Sequence, residues 1–279
     1  MEKNANSTNN AGGLKMRAAI EVENLNKMYS SNGADSIRAL EDMSFKVNPR
    51  EFISVVGPNG CGKTTLINIL AGFLGYEAGE VLVNSKPLNQ TPNECGVVFQ
   101  NLALFDWKTV YENIEFPLKA IGLPKDERKK RIQNYVDMVK LNGFESSYPS
   151  ELSGGMKQKT AIARALAANH KILLMDEPFA ALDWQTRELM QEELEKLWAR
   201  TRKTIFFITH SLDEAIFLSD KVFIMTARPG KIKEIVDIPL PRPRIGSIKY
   251  EQKFQRIKRK IWRSLKEEVE KAHEVRKMA

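Results

Sequence analysis

A length of 279 residues, with 42% hydrophobic and 28% charged side chains, provides for one large domain or two small ones with a proper core, the ordinary balance of a soluble globular protein. The longest apolar runs, such as residues 172–175, are far too short to cross a bilayer, and the N-terminal "MEKNANSTNNAGGLKM" lacks the apolar stretch of a secretory signal. The net charge of +8 sits entirely in residues 240–279, where 13 basic residues face 5 acidic ones; such asymmetry fits nucleic acid, an anionic membrane surface, an acidic partner or, more simply, a solvated helix face.

In chain order, residues 1–18 read as a disordered polar tail, in which Asn6-Ser7-Thr8 matches a glycosylation sequon by chance. Residues 19–26 alternate as a half-buried strand, and 52–57 form a short apolar run ending in glycine, the mark of a buried parallel strand. Similar runs follow at 95–99, 171–176, 204–209 and 221–225. Between them lie helical patterns at 63–71, 110–120, 125–141, 155–168 and 184–201. This alternation predicts an α/β domain over 19–239 around a mostly parallel sheet, with a helical insert at about 101–156. Cys61 and Cys95 read as free thiols in a reducing cytoplasm. Pro239, Pro241 and Pro243 then break regular structure. Residues 240–279 are a linker followed by a basic amphipathic helix from Lys249, with one stripe through Tyr250, Phe254, Ile257, Ile261, Leu265, Val269 and Ala272.

The chemistry begins at "GPNGCGKTT", residues 57–65, placed directly after a buried strand and before a helix. The backbone of Gly57, Pro58, Asn59, Gly60, Cys61 and Gly62 would curl its N–H groups around phosphates, Lys63 would reach the β- and γ-phosphates, and Thr64 would ligate Mg²⁺. "KILLMDE" places Asp176 at a strand tip as an oxygen ligand for that cation, with Glu177 beside it to polarise water. A second anion grip lies at Ser153-Gly154-Gly155, ahead of a helix and far from the first in sequence. One chain would not easily fold both onto one phosphate; two chains head to tail would.

These residues resemble the ATP-binding subunit of an ABC transporter over roughly 20–244. The ordered set is Tyr29, "GPNGCGKTT", "VVFQ" with Gln100, "LSGGM", "ILLMDE", "ALD" at 181–183 and "ITH" with His210. The resemblance implies a P-loop ATPase fold with an antiparallel β subdomain and an inserted helical subdomain, and a dimer that sandwiches two ATP molecules. It implies that Tyr29 stacks on adenine and that Lys63, Thr64, Thr65 and Asp176 handle phosphate and Mg²⁺. Glu177 is then the general base, His210 contacts the γ-phosphate, and Gln100 senses Mg²⁺ and γ-phosphate. Ser153, Gly154 and Gly155 serve the neighbour's ATP, and Asp183 lies near the dimer axis.

"FQNLALFDWKTVYENIEFPL", "TARPGKI" and "PLPRPR" further resemble the importer group for nitrate, sulfonates, taurine and related anions, although Asp106 stands where that group usually has proline. The resemblance therefore implies a homodimeric ATPase docked on the cytoplasmic side of a membrane. A separate permease would seat a helix near Gln100, Phe105 and Trp107, fed by a solute-binding protein, with no nucleic-acid partner. The alternatives are an exporter-type ATPase, or a soluble ABC ATPase acting on ribosomes or nucleic acid. Because no ATP-site motif falls beyond His210, the C-terminal segment is expected to be dispensable for ATP chemistry, even when cut after Pro243.

Overall fold

A computed structural model describes residues 17–31, 34–88 and 94–278. The expected polar tail lies outside them, apart from Arg17 and Ala18. The centre is a six-stranded sheet in the order β10-β9-β3-β8-β7-β6. It is built from β3 (Phe52–Val56), β6 (Cys95–Val98), β7 (Ile172–Asp176), β8 (Thr204–Ile208), β9 (Lys221–Met225) and β10 (Ile232–Asp237). All neighbours are parallel except β10 on β9. Every residue of β3, β7 and β8 is buried, which is why these strands read as unbroken apolar runs. The polar exceptions are Ser54, Asp176 and Thr204, and the Ser54 hydroxyl pairs with that of Ser219.

A four-stranded antiparallel sheet, ordered β2-β1-β4-β5, lies beside it: β1 (Ile20–Ser31), β2 (Ala34–Val47), β4 (Ala78–Val83) and β5 (Lys86–Pro87). Only β1 shows plainly in the residue pattern. The β1–β2 ladder shifts register repeatedly, with Asn24 and Asp42 at positive φ, and such bulges scramble a period-two signal. The core between the sheets joins Leu25, Met43 and Phe45 to Ile53, Phe206 and Phe223.

The helical layer comprises α2 (Val110–Ala120), α3 (Lys125–Val139) and α4 (Gly154–Ala167). Thr109 and Glu112 close a capping box that starts α2. The expected boundary at residue 156 falls inside α4, because α4 packs on α2 and α3 along one side and on β6 along the other. The remaining helices are α1 (Lys63–Leu70), α5 (Trp184–Thr201), α6 (Leu212–Leu218) and α7 (Gln252–Met278). Helix α6 is only seven residues long and gives no usable period.

Past residue 240 the chain stays on the body of the protein. The buried Arg244 guanidinium donates to the carbonyls of Ile216, Phe217 and Ser219 at 2.8–3.0 Å, closing the end of α6. Burial, with Arg242 nearby, pulls its pKa down to about 10. Helix α7 starts at Gln252 rather than Lys249, after a short 3₁₀ turn at Gly246–Tyr250. Tyr250 therefore leaves the expected stripe and is exposed, while Phe254, Ile261 and Leu265 are buried. Several basic residues expected to face solvent are paired: Lys258 with Asp213 at 2.7 Å and Lys260 with Glu234 at 3.0 Å. Among the described residues no helix is long and apolar enough to cross a membrane.

Candidate active site

Strand β3 delivers the chain into the glycine-rich loop, and α1 leaves it. Gly62 caps α1 at φ +101°, and a Cβ there would stand 2.7 Å from Leu40 and 3.0 Å from the Ala39 carbonyl, so only glycine fits. The first N–H groups of α1 open toward the loop, the arrangement that attracts phosphate. Lys63 is buried, and its Nζ curls back to the carbonyls of Gly57 at 2.9 Å and Pro58 at 3.0 Å. Cys61 donates its N–H to the Pro58 carbonyl at 3.3 Å, but its side chain turns into the core, where burial pushes the thiol up. Its Sγ still accepts from Lys63 Nζ at 3.9 Å, so Cys61 packs the inner side of the loop.

Asn59, Gly60, Gly62, Lys63, Thr64 and Thr65 line a hollow of about 330 Å³ together with Tyr29, Ile37, Ala39, Glu177 and Arg228. Tyr29 stands half exposed at its mouth, its hydroxyl 3.2 Å from Thr65 Oγ1. Gly57 and Pro58 lie on the other flank of the loop, against α7.

Glu177, which follows β7, lines this hollow. Asp176 closes β7. Burial pushes its carboxyl up, Glu177 adds to that, and a hydrogen bond with Thr64 opposes it. Asp176 Oδ1 is buried and has no hydrogen-bond partner. An orphaned carboxylate oxygen beside a threonine hydroxyl and a lysine suits a hard divalent cation that draws its other ligands from water and phosphate oxygens. Among the described residues no group of three or more His, Cys, Asp or Glu could hold a metal ion. Thr64 and Asp176 meet here, while Gln100 contacts Glu177 instead.

Glu177 sits at φ +46°, a position held by its N–H bond to the Ile208 carbonyl at 3.0 Å. Its carboxylate meets His210 Nε2 from the end of β8, and Gln100 Nε2 from the end of β6 lies 3.5 Å away. The structure therefore gathers Gln100, Glu177 and His210 around one carboxylate.

The second grip is elsewhere. Ser153 caps α4, its hydroxyl accepting from Met156 N at 3.3 Å, with Gly154 and Gly155 in the first turn. A Cβ on Gly155 would stand 2.9 Å from Thr186 Cγ2, so the glycine lets α5 approach. Asp183 caps α5, accepting from Thr186 N at 3.0 Å, and that bond holds its carboxyl below the usual range. Ser153, Gly155 and Thr186 line a hollow of about 270 Å³ that shares no residue with the P-loop hollow. Ser153, Gly154, Gly155 and Asp183 thus do not join the P-loop of their own chain.

Two neighbours of the site were not among the expected site residues. The first is the turn Thr226–Gly230. Gly230 donates to the Ala39 carbonyl at 2.9 Å and accepts from Glu41 N at 3.1 Å, and a Cβ on it would stand 2.1 Å from the Cys61 carbonyl oxygen. The turn is seated on the P-loop backbone and carries the exposed Arg228 to the nucleotide hollow. The second is α7. Its Trp262, Leu265, Val269, Ala272 and His273 share a hollow of about 270 Å³ with Val56, Gly57, Pro58, Asn59 and His210. No ATP-site motif was expected beyond His210, and α7 lies beside Gly57, Pro58, Asn59 and His210 without carrying one. A cut after Pro243 would also remove the buried Arg244, Phe254 and Ile261.

On the helical side, Phe105 packs on Trp107 at 5.5 Å and Phe116 at 4.7 Å between centroids, and Phe105 and Phe116 line an apolar groove of about 420 Å³ with Phe73, Phe99 and Ala165. Gln100 and Trp107 border rather than line it. Buried Asn113 fixes the loop, donating to the carbonyls of Phe105, Lys108 and Thr109 and accepting from Phe105 N. Arg164 of α4 donates to the carbonyls of Leu102 at 2.7 Å and Ala103 at 2.6 Å.

A phosphate-cradling loop between buried strand and helix, with lysine, threonine and a strand-end aspartate around it, defines a P-loop nucleoside triphosphatase. The sequence profile described as "ABC transporter" matches residues 40–180, and the chain belongs to that family, with its cassette fold and ATPase activity. It is 48% identical over 258 residues to an uncharacterised ABC transporter ATP-binding protein of Methanocaldococcus jannaschii, covering 92% of this chain and 95% of that one. It is 41% identical over 243 residues to an aliphatic sulfonates import ATP-binding protein of Bacillus cereus, covering 87% and 94%. Among solved structures, the dimeric post-hydrolysis state of an ATP-binding cassette bound to ADP and Pi superposes with a TM-score of 0.70 at 30% identity, covering 80% of this chain and all of that one.

Proposed function

We propose that this protein is the ATP-hydrolysing subunit of an importer for a small solute, a sulfonate, taurine, nitrate or similar anion. It would work as a homodimer on the cytoplasmic face of a separate permease supplied by a solute-binding protein. The similarity to a sulfonate import protein supports the substrate class. The apolar groove around Phe105 and Phe116 supports docking of a permease helix.

The observation that carries the mechanism is the separation of two phosphate grips into two hollows of one chain. Each ATP then lies between the P-loop of one protomer and the Ser153 helix start of the other. Tyr29 stacks on the adenine. Lys63 and the first amides of α1 hold the phosphates, and Thr65 extends that grip. Thr64 and Asp176 would hold Mg²⁺, which would neutralise charge on the phosphates. Glu177 accepts the proton of the attacking water, and His210 and Gln100 hold its carboxylate in line. Asp183 keeps the start of α5 in register beside Gly154 and Gly155.

The test is complementation. Ser153→Arg and Lys63→Ala are each inactive alone. Mixed, they form dimers in which one composite site carries both lesions and the other carries neither, so phosphate release returns. Mixed dimers without activity, or loss of ATP binding by monomeric Ser153→Arg, would overturn the composite site.

A further inference from the structure

Two surface features have no role so far. Trp184, the first residue of α5, is 68% exposed. The hollow between α7 and the P-loop has apolar walls from Val56, Pro58, Leu265, Val269 and Ala272, with half-exposed Trp262 at its edge. A large exposed aromatic and an apolar hollow on one chain are complementary to each other.

Their positions relate them. Asn59 lines both this hollow and the nucleotide hollow, and His210 joins it to Glu177, so the α7 hollow is continuous with the P-loop half of the composite site. Trp184 follows Asp183, and the same first turn of α5 touches Gly155 through Thr186, so Trp184 flanks the signature half. Within a chain, the segment from Glu177 to Asp183 joins the two halves. In a two-fold dimer each half meets the opposite half of its partner, so the axis passes over that connecting segment. His210 with α7 lies at the P-loop end of the segment and Trp184 at its signature end. The symmetry therefore brings the signature end of one chain to the P-loop end of the other.

We propose that Trp184 of each protomer docks into the hollow between α7 and the P-loop of its partner, making α7 part of the ATP-dependent dimer contact. The contact rests on the composite-site reading above and occurs twice per dimer. A tryptophan centred in an apolar recess is the kind of residue that dominates an interface. The basic residues Arg256, Arg259 and Arg263 line a different recess with Lys233 and Glu267, so anionic lipid is not the occupant the lining favours.

The experiment uses the full chain carrying Glu177→Gln to block turnover, with sedimentation equilibrium in ATP. Adding Trp184→Ala should weaken dimerisation roughly ten- to thirtyfold, leaving ATP binding to the monomer unchanged, since Trp184 is exposed and outside the nucleotide hollow. With the partly exposed native Cys95 replaced by Ser throughout, a mixture of chains carrying Trp184→Cys and Ala272→Cys should give a bismaleimide-linked dimer only with ATP and only when both introduced cysteines are present. An unchanged dimer constant with no cross-link would overturn the proposal while leaving the composite site standing. So would Trp262→Ala reducing sedimentation with phosphatidylserine-rich vesicles while the dimer constant stays fixed. If the Glu177→Gln chain stays monomeric in saturating ATP, the composite-site reading fails and this contact with it.

Discussion

Gly230→Ala tests how firmly the Thr226–Gly230 turn seats the P-loop. The added Cβ would lie 2.1 Å from the Cys61 carbonyl oxygen, 2.8 Å from Met225 Cε and 3.2 Å from Leu40 Cδ2. Carbon-to-oxygen contacts settle near ~3.3 Å, so about 1 Å of separation must come from two backbones. Methionine can swing aside, but a carbonyl inside a glycine loop cannot. Moving the turn strains the bonds from Gly230 to Ala39 and from Glu41 to Gly230. Two hydrogen bonds at about 1 kcal/mol each and overpacking of about 1–3 kcal/mol give a loss of about 3–5 kcal/mol. Moving the loop instead displaces the phosphate amides, and a misplacement of that size costs about 100-fold in turnover. Urea denaturation, ATP titration and phosphate release separate the two routes. Gly75→Ala, whose Cβ would meet nothing within 4 Å, is the control and should stay within about 0.5 kcal/mol. A Gly230→Ala protein with normal ATP affinity and under about 1 kcal/mol of destabilisation would refute the seating argument.

Glu177→Gln should bind ATP normally and hydrolyse it about 100- to 10,000-fold more slowly; ordinary turnover would remove Glu177 as the base. Arg228→Ala should weaken ATP binding about three- to tenfold at low salt and less at high salt, since an exposed cation is screened; a salt-independent affinity equal to the parent's would exclude a phosphate contact. Burial alone would raise the Glu268 carboxyl, but bonds from Lys233, the Ala227 amide and Lys271 hold it at about 2, below its ordinary 4.5. Its stabilisation is therefore whole above about pH 4.5 and lost as the pH falls toward 2, so Glu268→Gln should flatten that limb of the urea midpoint against pH, and an unchanged slope would contradict the ion-pair account.

What was legible in the residues follows from burial. Strands β3, β7 and β8 are covered on both faces and so read as unbroken apolar runs, and the P-loop, Asp176, Glu177 and His210 hang from their ends. The helix start at Gly154 and Gly155 was legible, yet the crowding of Gly155 against Thr186 comes only from how α5 folds back. Strand β2 stayed hidden behind its bulges and α6 behind its brevity. Arg228 and α7 reach the site through tertiary contact alone: an exposed arginine in a turn and a stripe on a distant helix have no local feature that names their neighbour.

The two bonds from Arg164 to the carbonyls of Leu102 and Ala103 make α4 and the start of the helical layer move as one piece. Gln100 is only two residues upstream of Leu102, and two residues span at most about 7 Å. There is no slack in that tether. A push on the apolar groove, where Arg164 also stacks on Phe105, must either tug Gln100 against the Glu177 carboxylate or break the Arg164 bonds. The groove and the Glu177 carboxylate are thus the two ends of one short run of chain, pinned in its middle by Arg164.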